Sequence, residues 1–390
     1  MTEELKRKKR SLFSVVVLLV SVNVLSISIL LSAFEIYLRY TATYVTSRKP
    51  EPIIGALGRM PMPLFTNTPK GKRFIPNSHV VIVNHFLSHY DVQMDINSLG
   101  MRDDEIKIIK PDNHVRILAL GDSITGADYL QCNDVYVKRI EYYLNQAASG
   151  KTKVFEVIND GVGDIGMKEE VSILQENGLV VDPDIVMVGF YLNDSRPPWG
   201  FQGELGAPGF IRRHSLLAEN IYKWLVLGKW LKESGRGRLA DWAKAAPTLD
   251  WKNDRNAFMK LVFLADLDWG AAWKDDSWVS LDPEFGKLKE LSNAYGFKVM
   301  FVIFPVSFQV YADFVEDEPQ RKLEEVTRKF GFYYFDLLPY LRDRKNEDLF
   351  FDWCHPRVWT NDMIGKDIAE YLEKNVLTDV FVTSPEESKH

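Results

Sequence analysis

Cysteine is scarce in this sequence, with two residues, Cys132 and Cys354, in 390. They form no C-x-x-C pair, which excludes a zinc site of the usual spacing, and nothing else in the chain calls for a metal or nucleotide cofactor. An excess of positive charge is also missing. The 48 lysines and arginines against 54 aspartates and glutamates leave a net charge of −6, which gives no reason to expect a nucleic acid partner. Internal repeats are absent, and no second apolar run of membrane-spanning length follows Phe34. The one such run, Leu12 to Phe34, lacks an A-x-A-like cleavage pattern behind it and is too long for the core of a cleaved signal peptide.

That run is preceded by Lys6, Arg7, Lys8, Lys9 and Arg10. Basic residues on the N-terminal side hold that end in the cytoplasm, so we expect a retained signal anchor of a single-pass inner (cytoplasmic) membrane protein whose main domain is extracytoplasmic or periplasmic. The expected organisation is a basic tail over 1–11, the transmembrane anchor over 12–34, a juxtamembrane connector over 35–95 packed on the main domain, that domain over 96–376, and a polar tail over 377–390. His79, His85 and His89 fall in the connector without a cluster of acidic partners and read as packing or surface residues.

From residue 115 onward, short apolar runs alternate with helical patterns, which predicts an α/β domain with a parallel sheet covered on both faces. Strands are expected at the run from Val115, at Val154–Ile158, Ile185–Tyr191, Lys298–Phe304 and Tyr333–Asp336. Helices are expected at about Asn133–Gln146, Met167–Asn177 closed by Gly178, Glu318–Phe330 and Thr360–Lys374. The rhythm breaks over about 195–292, where eight of the ten tryptophans fall, from Trp199 to Trp278. A helical insertion fits that length, and its tryptophans are either a stacking surface for sugar rings or, as we prefer, the insertion's own core.

Chemistry-bearing residues collect at the strand ends. Gly121, Asp122 and Ser123 close the first strand, with the serine expected at the head of the following helix. A Gly-rich bend, Asn159 to Gly166, closes the second and offers free backbone N–H groups. Asn193, an uncharged donor, follows the third. Asp352 and His355 lie three apart in D-W-C-H-P before the last helix, a spacing that lets the carboxylate hold Nδ1 and aim Nε2 at a hydroxyl.

In combination these blocks resemble the SGNH, or GDSL-type, hydrolase family, and N-S-L-G-M-R at 97–102 is similar to bacterial members with an N-terminal membrane anchor. The resemblance spans roughly 97–372 and implies a flavodoxin-like three-layer sandwich. It implies Ser123 as nucleophile, His355 as general base, Asp352 as its orienter, and an oxyanion hole made by Ser123, Gly163 and Asn193. One departure stands out: five residues after Asn159, where the family commonly has glycine, this chain has Asp164, so Gly163 is taken as the donor. The expected activity is a serine carboxylic-ester hydrolase acting through an acyl-enzyme on a cell-envelope glycan or related carbohydrate ester. An O-acyltransferase with the same residues and a non-catalytic glycan-binding or assembly protein are the alternatives. Cys132 and Cys354 flank the expected site, and unpaired thiols are preferred over a disulfide between them.

Overall fold

The computed structural model describes residues 3–48, 61–149, 153–197, 209–234, 237–238 and 241–382. Trp199 and the end of the C-terminal tail lie outside them, as do the side chains of the basic N-terminal cluster. The chain opens with α1 (Glu3–Thr41), whose segment from Leu12 is long and apolar enough to cross a membrane and is not buried by the rest of the protein. Five short strands follow: β1 (Tyr44–Ser47), β2 (Phe65–Thr68), β3 (Gly71–Phe74), β4 (His79–Val83) and β5 (Val92–Asp95). β1, β4 and β5 form an antiparallel sheet and β2–β3 a hairpin. Val92, Met94 and Ile96 are fully buried in the main core, so this region is continuous with it.

The main domain then runs β6 (His114–Gly121), α2 (Ser123–Gly126), α3 (Tyr136–Ala147), β7 (Val154–Asn159), α4 (Met167–Ile173) and β8 (Ile185–Tyr191). The insertion contributes α5 (Phe210–His214), α6 (Leu216–Glu233), α7 (Asp241–Ala245), α8 (Arg255–Leu264) and α9 (Asp275–Tyr295). It returns through β9 (Lys298–Phe304), α10 (Ser307–Tyr311), α11 (Glu318–Phe330), β10 (Tyr333–Asp336), α12 (Leu338–Arg342), α13 (Val358–Asn375) and α14 (Leu377–Val382). All five core strands pair in parallel in the order β10-β9-β8-β6-β7. Both faces of such a sheet must be covered, and β8 is accordingly buried at every residue. α3 and α13 pack together on one side of the sheet, and α4, α9 and α11 on the other. Numbered by core strand alone the order is 2-1-3-4-5, the flavodoxin-like winding, with its switch point between β6 and β8.

Several boundaries differ from the sequence reading for identifiable reasons. Ser123 heads a single helical turn, α2, which Ala127 ends in a left-handed conformation (φ 41°), and the long helix begins only at Tyr136. The macrodipole of a long helix is therefore not available at Ser123. α4 widens into a π turn over Leu174–Gly178 and closes at Asp182 (φ 50°), beyond Gly178. Gly178 serves packing instead, since a Cβ there would lie 2.7 Å from Leu118 Cδ2. The expected tail from 377 starts as α14, and Leu377 is buried in the core. Trp242, Trp269, Trp273 and Trp278 are all buried, but instead of a core of the insertion's own they join the main core of the domain, Trp278 stacking on Phe190 of β8, whereas Trp224 is exposed.

Candidate active site

Strand ends bring the site together. β6 delivers Asp122 and Ser123, and β8, its neighbour across the switch point, delivers Asn193. The Gly-rich bend after β7 presses against the nucleophile turn so closely that a Cβ on Gly161 would lie 2.4 Å from Gly126 N. Gly163 faces the serine, since a Cβ there would sit 3.6 Å from Ser123 Cβ. Asp122 is fully buried and its carboxylate caps the turn by accepting from Ile124 N (2.9 Å). Burial pushes that carboxyl up, opposed by the Ile124 N–H, His355 and the side-chain amide of Asn193.

The loop before α13 is folded by its own aspartate. Asp352 Oδ1 accepts from the backbone N–H groups of Cys354 and His355, both at 2.9 Å, and Oδ2 lies 2.8 Å from His355 Nδ1. This is why three-residue spacing works: one carboxylate closes the turn with one oxygen and orients the ring with the other. His355 Nε2 then meets Ser123 Oγ at 3.0 Å. Tyr129 packs edge-on against the imidazole at 5.0 Å between ring centres. Behind the loop Trp353 packs on Trp242 of α7, so the insertion buttresses it.

Burial works against a charged imidazole, yet the hydrogen bond and charge of Asp352, with Asp122 and Asp128, leave the His355 pKa raised above 6.5. Burial likewise opposes ionisation of Asp352, and the His355 ring and two N–H donors outweigh it and lower its pKa. An ionised Asp352 fixes the proton on Nδ1, which leaves the Nε2 lone pair for the serine hydroxyl. The structure thus joins Ser123, His355 and Asp352 in one hydrogen-bonded chain, sets Gly163 beside the serine, and bonds the Asn193 amide to the neighbouring Asp122.

Three further residues act at this site outside the four chemical blocks. Lys72, on the β2–β3 hairpin, donates to the carbonyl of Gly163 (3.0 Å) while its ammonium sits 3.8 Å over the Phe65 ring. Burial lowers its pKa, and Asp164 and Asp128 draw it back up. The Asp164 carboxylate therefore faces a cation, and Asp164 itself adopts φ 60°, the left-handed conformation favoured by glycine. Arg102, fully buried, donates to the carbonyls of Gly126 (2.7 Å), Ala127 (2.6 Å) and Leu130, gripping the chain just past the serine. Tyr129 is the third. The signal for Arg102 was present in N-S-L-G-M-R, where Asn97 Oδ1 accepts from Leu99 N and Met101 N, both at 3.0 Å, to build the turn that presents it.

Among the described residues one cluster, Asp352, Cys354 and His355, has donor atoms close enough to share a metal ion. Its imidazole is already committed at both nitrogens, to Asp352 and to Ser123, so a metal would have to displace one of those bonds. Cys132 and Cys354 are separate thiols, the first within 3.7 Å of the Arg102 carbonyl and the second 3.4 Å from His355 Nδ1. His79 pairs with Asp95 at 2.8 Å and His85 stacks on Phe86, so the connector's histidines engage different neighbours.

No family model matches the chain, and no curated protein does. Among solved structures it is similar to the acetyl xylan esterase AlAXEase, at 12% identity and TM-score 0.37 over 67% of this chain and 100% of that one. It is also similar to TesA, at 12% identity and TM-score 0.37 over 66% and 98% of the two chains. A catalytic mutant of Axe2, an acetylxylan esterase from Geobacillus stearothermophilus, is a third, at 14% identity and TM-score 0.36 over 66% and 93%.

Proposed function

We propose that this protein is a serine carboxylic-ester hydrolase working through an acyl-enzyme. The observation that carries the reading is the unbroken chain from Ser123 Oγ to His355 Nε2 (3.0 Å) and from His355 Nδ1 to Asp352 Oδ2 (2.8 Å). Ser123 Oγ attacks the ester carbonyl as its proton passes to Nε2, and Asp352 stabilises the imidazolium that results. The oxyanion is held by the Ser123 N–H, the Asn193 amide and the Gly163 bend. Collapse expels the alcohol, which takes the proton from Nε2, and a water activated by the same nitrogen then releases the acyl group. The substrate class we infer is an acylated carbohydrate of the cell envelope, with acetyl as the small acyl group. Support for that choice is the expected extracytoplasmic placement beside the membrane and the motif resemblance.

The test is hydrolysis of p-nitrophenyl acetate by the full chain. Ser123→Ala is expected to lower turnover by several orders of magnitude with folding retained, and Asn193→Ala to cost roughly 10²-fold or more in kcat. Near wild-type turnover by the Ser123 variant would end the reading. Adding a sugar acceptor separates transfer from hydrolysis: formation of an acylated sugar at the expense of free acid would assign an acyltransferase on the same residues.

A further inference from the structure

The insertion helix α6 carries an apolar stripe that is exposed along its middle and half-buried at its two ends. Leu217, Ile221, Trp224, Gly228 and Leu231 recur at alternating steps of four and three, which places them on one line of an α-helix. Ile221 is 49% and Trp224 73% exposed, and Leu225 beside them is 56% exposed. Phe210 and Ile211 of the preceding turn are 79% and 72% exposed. The opposite side faces inward through Leu216 and Glu219, the latter paired with Arg212 at 2.6 Å. Exposed Lys223 and Lys229 flank the stripe. A water-facing surface rarely carries so many large apolar side chains in one line.

The position of this helix is set by the membrane anchor. Glu35 of α1, one residue past the apolar run, caps the start of α6: Leu216 N and Leu217 N and the Ser215 hydroxyl all donate to its carboxylate at 2.9 Å. Arg39, one turn further along α1, donates to the same carboxylate (2.8 Å) and to the carbonyl of His214 (3.0 Å). A hydrocarbon core takes about 20 helical residues, so with Leu12 to Phe34 inside it Glu35 stands at its edge. α6 therefore begins where the anchor leaves the bilayer. We infer that α6 is a second membrane-contacting element, an interfacial helix whose Leu217–Leu231 stripe lies in the acyl boundary of the same bilayer with its lysines among the head groups. A tryptophan midway along the stripe suits that depth. The inference rests on α1 spanning the membrane and is independent of the ester chemistry. Its consequence is orientation: a domain held at two points presents its crevice at a defined height above the lipid.

The experiment compares the full chain with Trp224→Phe in liposomes of phosphatidylcholine brominated on the acyl chains, and in the unbrominated lipid. The difference between the two proteins' emission is that of residue 224, and it is expected to lose most of its intensity in the brominated lipid. An equal intensity in both lipids would overturn the inference. If that emission then yields to aqueous acrylamide the face is open to water, and if it resists acrylamide the stripe is covered by protein, such as a second copy; either result removes the bilayer as occupant. Flotation of the same liposomes tests the anchor separately, since failure of the chain to float would overturn the spanning reading of α1 and this one with it.

Discussion

Asp352 and Ser123 hold opposite nitrogens of one imidazole, and the charge of the aspartate decides when that ring can act. A general base must be neutral to accept a proton. Because the His355 pKa is raised above 6.5, kcat/KM for an ester is expected to fall as pH drops through a value above 6.5. The sign for stability is the reverse. A raised folded-state pKa adds stability below the unfolded value, and that contribution is lost as pH rises through the folded value. Asp352→Asn removes the bond and charge that raise it, so the acid limb should move to lower pH while kcat falls about 10⁴-fold. A limb that stays in place in the variant would detach Asp352 from the titration. Lys72 acts one step further out. Its bond to the Gly163 carbonyl pins the bend that presents the Gly163 N–H to the serine, and its charge faces the Asp164 carboxylate. Lys72→Met keeps the stem against Phe65 but loses the donor, and kcat is expected to drop about tenfold with KM little changed, as for one lost hydrogen bond of about 1.4 kcal/mol. Partial rescue by Lys72→Arg would mark it as a positioning residue, and an unchanged kcat would dismiss it.

At the level of elements, the nucleophile turn is held from outside rather than by its own length. One helical turn cannot fix its own end, and the three carbonyls that follow it, at Gly126, Ala127 and Leu130, are all paired with the single guanidinium of Arg102. Arg102→Met would leave the Gly126 and Leu130 carbonyls without that donor at about 1–3 kcal/mol each, less what local relaxation recovers, while Ala127 O keeps the Leu130 N–H (3.0 Å). Thermal melts of the full chain should show a clear drop in midpoint, and Arg102→Lys, which lacks the fork, should restore only part of it. A wild-type midpoint in the Met variant would show that the turn does not depend on Arg102. The same comparison shows what the sequence can and cannot reveal. The buried parallel strands were legible because each is a short continuous apolar run; Ser123 and Asn193 were legible as candidates because they stand at strand ends, and Asp352 and His355 because of their three-residue spacing before a helix. Lys72 was not, because it acts on a segment 91 residues along the chain and no local periodicity records that; Arg102 stood in N-S-L-G-M-R, but what it grips, 24 to 28 residues further on, was not written there. The true start of α3 was hidden for a related reason: the stretch after Ala127 is ordered by Arg102 and by the backbone N–H of Tyr136 donating to Asn361 (3.0 Å), neither of them a local signal.

For the molecule as a whole, the winding that brings β6 beside β8 also buries acids behind the site. Asp122 at the end of β6, Glu170 on α4 and Asp194 after β8 are 0%, 1% and 0% exposed. Asp194 Oδ2 accepts from Tyr191 N (2.8 Å), but its Oδ1 and both oxygens of Glu170 have no hydrogen-bond partner among the described residues. Burial raises the Glu170 pKa well above its usual value, and the charges of Asp122 and Glu169 add to the rise. Burial raises Asp194 too, followed by the charges of Glu170 and Asp122, against the Tyr191 N–H and Arg196. Carboxyl groups with raised folded-state pKa values favour the folded protein at low pH, and that contribution disappears as pH climbs through the folded values. Glu170→Gln removes one of these titrations without changing the shape of the side chain. Near pH 5 the variant should therefore melt close to the wild type, and near pH 8 it should melt higher, by about 2–4 °C for each kcal/mol recovered. Melting curves of the full chain at the two pH values decide the matter. A gap between variant and wild type that does not widen with pH would mean that Glu170 carries the same charge in the folded as in the unfolded protein over that range, so that its burial contributes nothing to the pH dependence of stability.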